Sequence, residues 1–137
     1  MRLSRREPAQ ATIELLMLIP GLLLGLFLLV ALGLVARADA EVAGVVVEAA
    51  RAGVLVSEAA QVQAAAIDRA QTVATAYGLD LGHLRVDADP SEFHRGGQVR
   101  VEVQYDLPLA ALPLIGWGTI GLHHQAAEPV DRYRSLR

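Results

Sequence analysis

Cysteine, lysine and asparagine are missing from this chain of 137 residues, and aromatic residues make up only 4% of it. The absence of cysteine excludes a disulfide scaffold, a thiolate metal site and a cysteine nucleophile, and leaves the redox compartment open. So few rings leave little to stack on nucleic-acid bases. All twelve basic residues are arginine, which reads as GC-rich coding bias rather than function. The net charge of −3 provides no broad phosphate-binding surface, so a nucleic-acid partner is not expected. With 53% hydrophobic and 20% charged residues, the composition also argues against intrinsic disorder.

What is present is strongly segregated. From Leu15 to Ala36, 22 consecutive residues carry no charge and eleven are leucine. As a helix this run is roughly 33 Å long, enough for a hydrocarbon core of about 30 Å. Its large apolar residues supply on the order of −7 kcal/mol for insertion, while Glu14 at the edge costs at most about 3 kcal/mol. Insertion is therefore the expectation, and a buried core helix is a poor alternative because the remaining chain is too small to surround it. Arg2, Arg5 and Arg6 precede the run with Glu7 as the only acid, whereas Arg37, Asp39 and Glu41 follow it. The positive-inside rule then puts the N-terminus in the cytoplasm and the rest outside a single-pass membrane. A cleaved secretory signal is the competing reading, with Ala38-Asp39-Ala40 as a small-x-small site and Glu41 as the mature start. The apolar region is longer than signal peptides use, and no turn signal follows Ala40.

Beyond the run, residues 37–77 are dominated by helix-forming residues, with Gly44 and Gly53 the only glycines. Arg37, Glu41, Glu48, Arg51 and Glu58 fall on one stripe, which reads as a solvated face. Most of the remaining circumference is apolar and must be buried against a sheet, against neighbouring copies, or both. Val62, Ala66, Ala70, Val73, Ala74 and Tyr77 form a second stripe in another direction. A break near residues 56–59, with Ser57 as a cap, accounts for the change, and Tyr77-Gly78 is the stop. Small residues such as Ala43, Gly44, Ala49 and Gly53 would permit close helix approach.

The last part reads as strands. Leu84, Val86 and Ala88 alternate with Arg85, Asp87 and Asp89, and Val99, Val101, Val103 and Tyr105 alternate with polar residues. A third strand is expected from Thr119 to Ala127, closed by Pro129. Leu107–Gly118, with Pro108 and Pro113, cannot be a central strand and reads as an apolar connection or a surface patch. One side of the sheet should be wet and the other covered by the helix between Ala59 and Tyr77. The fold class is thus α+β: a long N-terminal helix, transmembrane then extracytoplasmic, followed by a small three-stranded antiparallel sheet. The parts are a basic leader (1–9), a membrane helix (10–36), a second helical region (37–77), a sheet head (78–129) and a polar tail (130–137).

No enzyme site is recognisable, and no catalytic residue, cofactor or small-molecule substrate is expected. The serines at 4, 57, 91 and 135 lie in no nucleophile-elbow pattern. Gly116, Gly118 and Gly121 do not open a helix after a strand as a phosphate loop requires. His123 and His124 are adjacent, so in a strand they point to opposite faces and cannot share a metal. Asp87, Asp89 and Glu92 lack the spacing of a calcium loop.

The stretch RREPAQATIELLMLIPGLLLG joins a basic leader to an apolar helix that begins with one acid, Glu14. It resembles a prepilin-type leader, and most closely the TadE-like pseudopilins of the tight-adherence (Flp-type) pilus system. QATIE at 10–14, Pro20, EAARAG at 48–53 and VRVEVQY at 99–105 carry the resemblance. It implies a pilin-like fold and cleavage by a membrane prepilin peptidase between Ala9 and Gln10, with Glu14 as the fifth mature residue. It also implies other pilins or pseudopilins and a pilus assembly platform as partners, and a non-enzymatic role as a minor pseudopilin in pilus assembly or a related secretion machine. Ala9 stands where glycine is commonest in that family, and Leu15 where an aromatic residue often follows the glutamate. Two alternatives remain at this level. One is a type II-secretion-like minor pseudopilin or tip adhesin; the other is a small secreted binding module with a cleaved signal peptide.

Overall fold

The computed structural model describes residues 7–111 and 116–131. A long helix, α1 (Glu7–Leu55), is followed by α2 (Val62–Tyr77), β1 (Leu84–Asp89), β2 (Gln98–Pro108) and β3 (Thr119–Pro129), with short 3-10 turns at Ala59–Gln61, Leu81–His83 and Leu109–Ala111. The strands form one antiparallel sheet in the order β1-β2-β3. The architecture is α+β, a long N-terminal helix followed by a small three-stranded sheet. The chain divides after Ala36 into two compact units.

The first unit is helical from Glu7 onward, so the helix starts within the expected leader rather than at residue 10. Pro20 lies inside it. Proline removes one backbone donor and frees one carbonyl, a defect that membrane helices accommodate.

The second unit is built on a sheet with two unlike faces. Val99, Val101, Val103 and Tyr105 of β2 are buried, while Arg100 and Gln104 between them are exposed. Cross-strand register extends the apolar face. Val101 sits between Ala88 and Ala126, Val103 between Val86 and His124, and Tyr105 between Leu84 and Leu122. The opposite face carries Arg85, Asp87, Arg100, Glu102, Gln104, His123 and Gln125.

The cover over the valine face differs from the expectation that α2 alone supplies it. The part of α1 that lies in this unit buries Ala38, Val42, Val45, Val46, Ala49 and Ala50, and α2 buries Val62, Ala66, Ala70 and Ala74. All of them join the strand residues in one core cluster. Burying each valine contributes about 1.5–3 kcal/mol. The alanines at four-residue spacing along α2 let that helix lie close to its neighbours. Gly53 serves the same end on α1, since a Cβ there would stand 3.1 Å from Val99 Cγ1 and 3.5 Å from Val62 Cγ1.

α1 ends at Leu55, and the bend over residues 56–58 precedes the 3-10 turn. Ser57 does not cap α2. The N-cap is Gln61, which makes no side-chain capping bond, because the 3-10 turn moves the helix start past Ser57. Gly78 closes α2 in the left-handed conformation (φ 78°), its N–H donating to Ala74 and Thr75.

Leu107 and Pro108, expected to lie outside any central strand, are the last residues of β2. Pro108 pairs with Thr119 only, because β1 reaches no further than Tyr105. The Leu109 N–H donates to Gly118 O (3.0 Å), so the alternation of the strand turns the Pro108 nitrogen to the side that β1 leaves empty. At the other edge of the sheet, Gln63 of α2 reaches β1: its Oε1 accepts from the Ala88 N–H at 2.8 Å. That contact satisfies a donor that an edge strand would otherwise offer to another chain.

Candidate membrane anchor and processing boundary

The helix stays apolar enough to cross a membrane from Leu16 to Leu55, and it is the one such helix among the described residues. Burial separates that stretch into two uses. Before Arg37, the leucines from Leu16 to Leu34 are exposed, with Leu16 at 70% and Leu29 at 68%. After Arg37, Val42, Val45 and Val46 are buried at 2% or less. Among the described residues, the earlier apolar side chains are left exposed and the later ones are covered by a sheet. The former could be covered by a bilayer, and the latter need none.

Of the burial expected for this face, against a sheet, against neighbouring copies or both, the structure shows the first. The apolar positions of residues 42–56 belong to the protein's own core, with Val47 (42% exposed) and Leu55 (69%) the large exceptions.

The three residues of the expected processing boundary lie in the first turns of α1. Ala9 and Gln10 are helical in backbone, and their side chains lie outside the described residues. Glu14 is exposed, one turn beyond Gln10 on the same helix. With α1 running from Glu7, Glu14 lies about two turns inside the helix, past the four unpaired N–H groups of its start.

The alternative cleavage site at Ala38-Asp39-Ala40 has a different setting. Ala38 is buried at 6% exposure, and Asp39 Oδ1 lies 2.7 Å from His124 Nε2 on β3. The stretch is continuous helix, so it offers no extended segment to a signal peptidase.

The charged stripe on α1 is less of a free solvated face than its spacing suggests. Glu48 accepts from Arg69 of α2 at 2.7 Å, and Arg51 lies 3.9 Å from Glu128 of β3. Arg37 and Glu41 pair along the helix at 2.7 Å. The hydrogen bond from Arg69 holds the Glu48 carboxyl below the usual glutamate range, with Arg51 acting in the same direction. On the open sheet face, Glu102 is shifted the same way by Gln104 first and then by His123, whose Nε2 is 2.7 Å away. His123 and His124 do point to opposite faces, one toward Glu102 and the other toward Asp39.

Among the described residues, no group of three or more histidine and acidic side chains is placed to hold a metal ion. The hollows on the sheet are shallow. One of about 220 Å³ is lined by Arg85, Val86, Asp87, Glu102 and Gln104. The Gln63 contact to β1 and the Glu48–Arg69 bridge have no local sequence signal, since each joins residues more than twenty positions apart. No family model, curated protein or solved structure matches the chain.

Proposed function

We propose that this protein is a TadE-like minor pseudopilin: a non-enzymatic, single-pass protein of the cytoplasmic membrane that supports assembly of a tight-adherence type pilus or a related secretion machine. The observation that carries the reading is the division of one helix at residue 37, exposed and apolar before it, buried in a small α+β head after it. A pseudopilin needs that arrangement, because the apolar segment first anchors the protein and then packs against other pilin helices. The resemblance of residues 5–25 to a prepilin leader supports it, and makes a prepilin peptidase and other pilins or pseudopilins the partners. The arginines at 2, 5 and 6 support a cytoplasmic leader and a head outside, by the positive-inside rule. The role of Ala38 and Asp39 in the head argues against the secreted-module alternative, since removal of residues 1–40 would take away one core residue and the partner of His124.

In this reading Glu14 acts in assembly. Once the leader is removed, a new α-amino group lies one turn away at Gln10, and the Glu14 carboxylate offers it, or the amine of a neighbouring chain, a counter-charge in an apolar layer. The test is Glu14→Leu in the native host. Membrane abundance is expected to stay at the parental level, because the apolar run outweighs the glutamate's insertion cost, while pilus or complex formation is lost. Normal assembly with the substituted protein would contradict the reading.

A further inference from the structure

The two edges of the sheet are unlike. β1 is six residues long, carries Arg85, Asp87 and Asp89, and has its Ala88 N–H taken up by Gln63 of α2. Short length, charge and a covering side chain all keep an edge from pairing with other chains. β3 is eleven residues long, and from Thr119 to Ala127 its only ionisable side chains are His123 and His124.

The hydrogen bonds at the two ends of β3 fix which way its backbone groups point. The Val130 N–H donates to Gly97 O at 2.8 Å, and the Leu109 N–H donates to Gly118 O at 3.0 Å. Both pairs continue the register in which Gln98 meets Pro129 and Pro108 meets Thr119. In an antiparallel ladder alternate pairs exchange hydrogen bonds, so residues 120, 122, 124, 126 and 128 turn their N–H and C=O groups toward β2. Thr119, Gly121, His123, Gln125 and Ala127 turn theirs outward. All five are exposed, and Pro129, next in the series, has no N–H. Among the described residues, no strand pairs with that side and no hydrogen bond takes up those outward N–H groups. A hollow of about 490 Å³ lined by Arg100, Gln125, Ala126 and Ala127 opens beside them.

We infer that the outer edge of β3 is a binding site for an extended, uncharged segment of another protein, which joins the sheet as a fourth strand. Outward N–H and C=O groups at every second residue match the backbone of such a segment. Ile120 and Ala126, on the core side of β3, are only partly buried, so the segment's alternate residues on that side are apolar. A second copy of this chain does not fit. Its β1 edge is closed by Gln63. Parallel pairing of two β3 strands would join the apolar side of one sheet to the polar side of the other. Antiparallel pairing would turn the two heads end for end. Asp39 meets His124 and Arg51 meets Glu128, so α1 runs alongside β3 in the same direction, and the chain enters each head at the end where β3 starts. Two heads paired in that way would be entered from opposite ends, which copies anchored alike in one membrane do not permit. This last exclusion rests on the proposed membrane span.

The test is site-specific crosslinking of the full chain in its native host. A photo-crosslinking residue replaces Gly121, Gln125 or Ala127, one at a time, and Asp87 on β1 as the control; adducts are purified and mapped by mass spectrometry. The expected result is that the three β3 positions join one short segment of one other protein, in order along it, and that Asp87 does not. Gln125→Pro, which removes one outward donor and none that faces β2, should abolish the adducts from 121 and 127 at unchanged Tm. If that variant melts early, Gly121→Pro is read in the same way through the adducts from 125 and 127. Adducts to a second copy, adducts scattered over several proteins, equal adducts from Asp87, or none at all would overturn the inference. So would adducts that persist at the parental yield in a stably folded proline variant. Recovery of the chain outside the membrane fraction would contradict the span, and the adduct pattern decides the edge in either case.

Discussion

His124 Nε2 and Asp39 Oδ1 are 2.7 Å apart although 85 residues separate them in sequence. The pair ties the last strand to the first turns of α1 within the head, two residues after Arg37. A carboxylate oxygen can only accept, so Nε2 carries the hydrogen. Both side chains keep contact with solvent, Asp39 at 51% and His124 at 28%. Asp39→Ala is therefore expected to lower stability by about 0.5–1 kcal/mol. Thermal unfolding of the detergent-solubilised chain checks this, and a double substitution with His124→Ala should cost little more than either alone.

Val101 has no exposed surface and lies between Ala88 and Ala126 at the centre of the sheet. Val101→Asp would bury a carboxyl with no partner among those neighbours. A loss of about 3 kcal/mol or more is expected. The same unfolding measurement reads it as a large fall in Tm, and an unchanged Tm would mean that the valine face is not packed.

Acid should weaken the contact between α1 and α2. The Glu48 carboxyl is held below its unfolded value by Arg69. A depressed acid contributes stability above the unfolded glutamate pKa, and loses it as the pH falls through the folded value. Tm should thus decline on acidification below the ordinary glutamate range. Asp89 and Glu102 are shifted in the same direction, by the Ser91 backbone and by Gln104 first, and add to the same decline. Glu48→Gln should make the acid limb shallower without removing it. The measurement is a series of melts from neutral to acid pH for parent and variant.

Much of this architecture is legible before any coordinates. The alternation at Val99–Tyr105 names the central strand because one face of an antiparallel sheet is covered and the other wet. The uncharged run at 15–36 stands out because a bilayer needs such a length. The cover of the sheet was harder to read. Val42, Val45 and Val46 could have packed on copies of the protein or on its own strands, and periodicity does not distinguish the two. Pro108 was read as a strand breaker, yet it sits where β1 has already ended and no donor is required. Gln63 closing the β1 edge depends on a side chain crossing between elements, and neither periodicity nor a motif reports that. Ala9, Gln10 and Glu14 enter the proposal as processing residues through a resemblance alone, not through spacing.

The central claim is that the chain is a processed pseudopilin, and intact mass of the protein purified from its native membrane tests it most directly. Cleavage between Ala9 and Gln10 predicts a chain lighter by residues 1–9, beginning at Gln10 and still carrying the whole apolar run. A mass corresponding to a chain that begins at Glu41, or one that retains residues 1–9, would contradict the account.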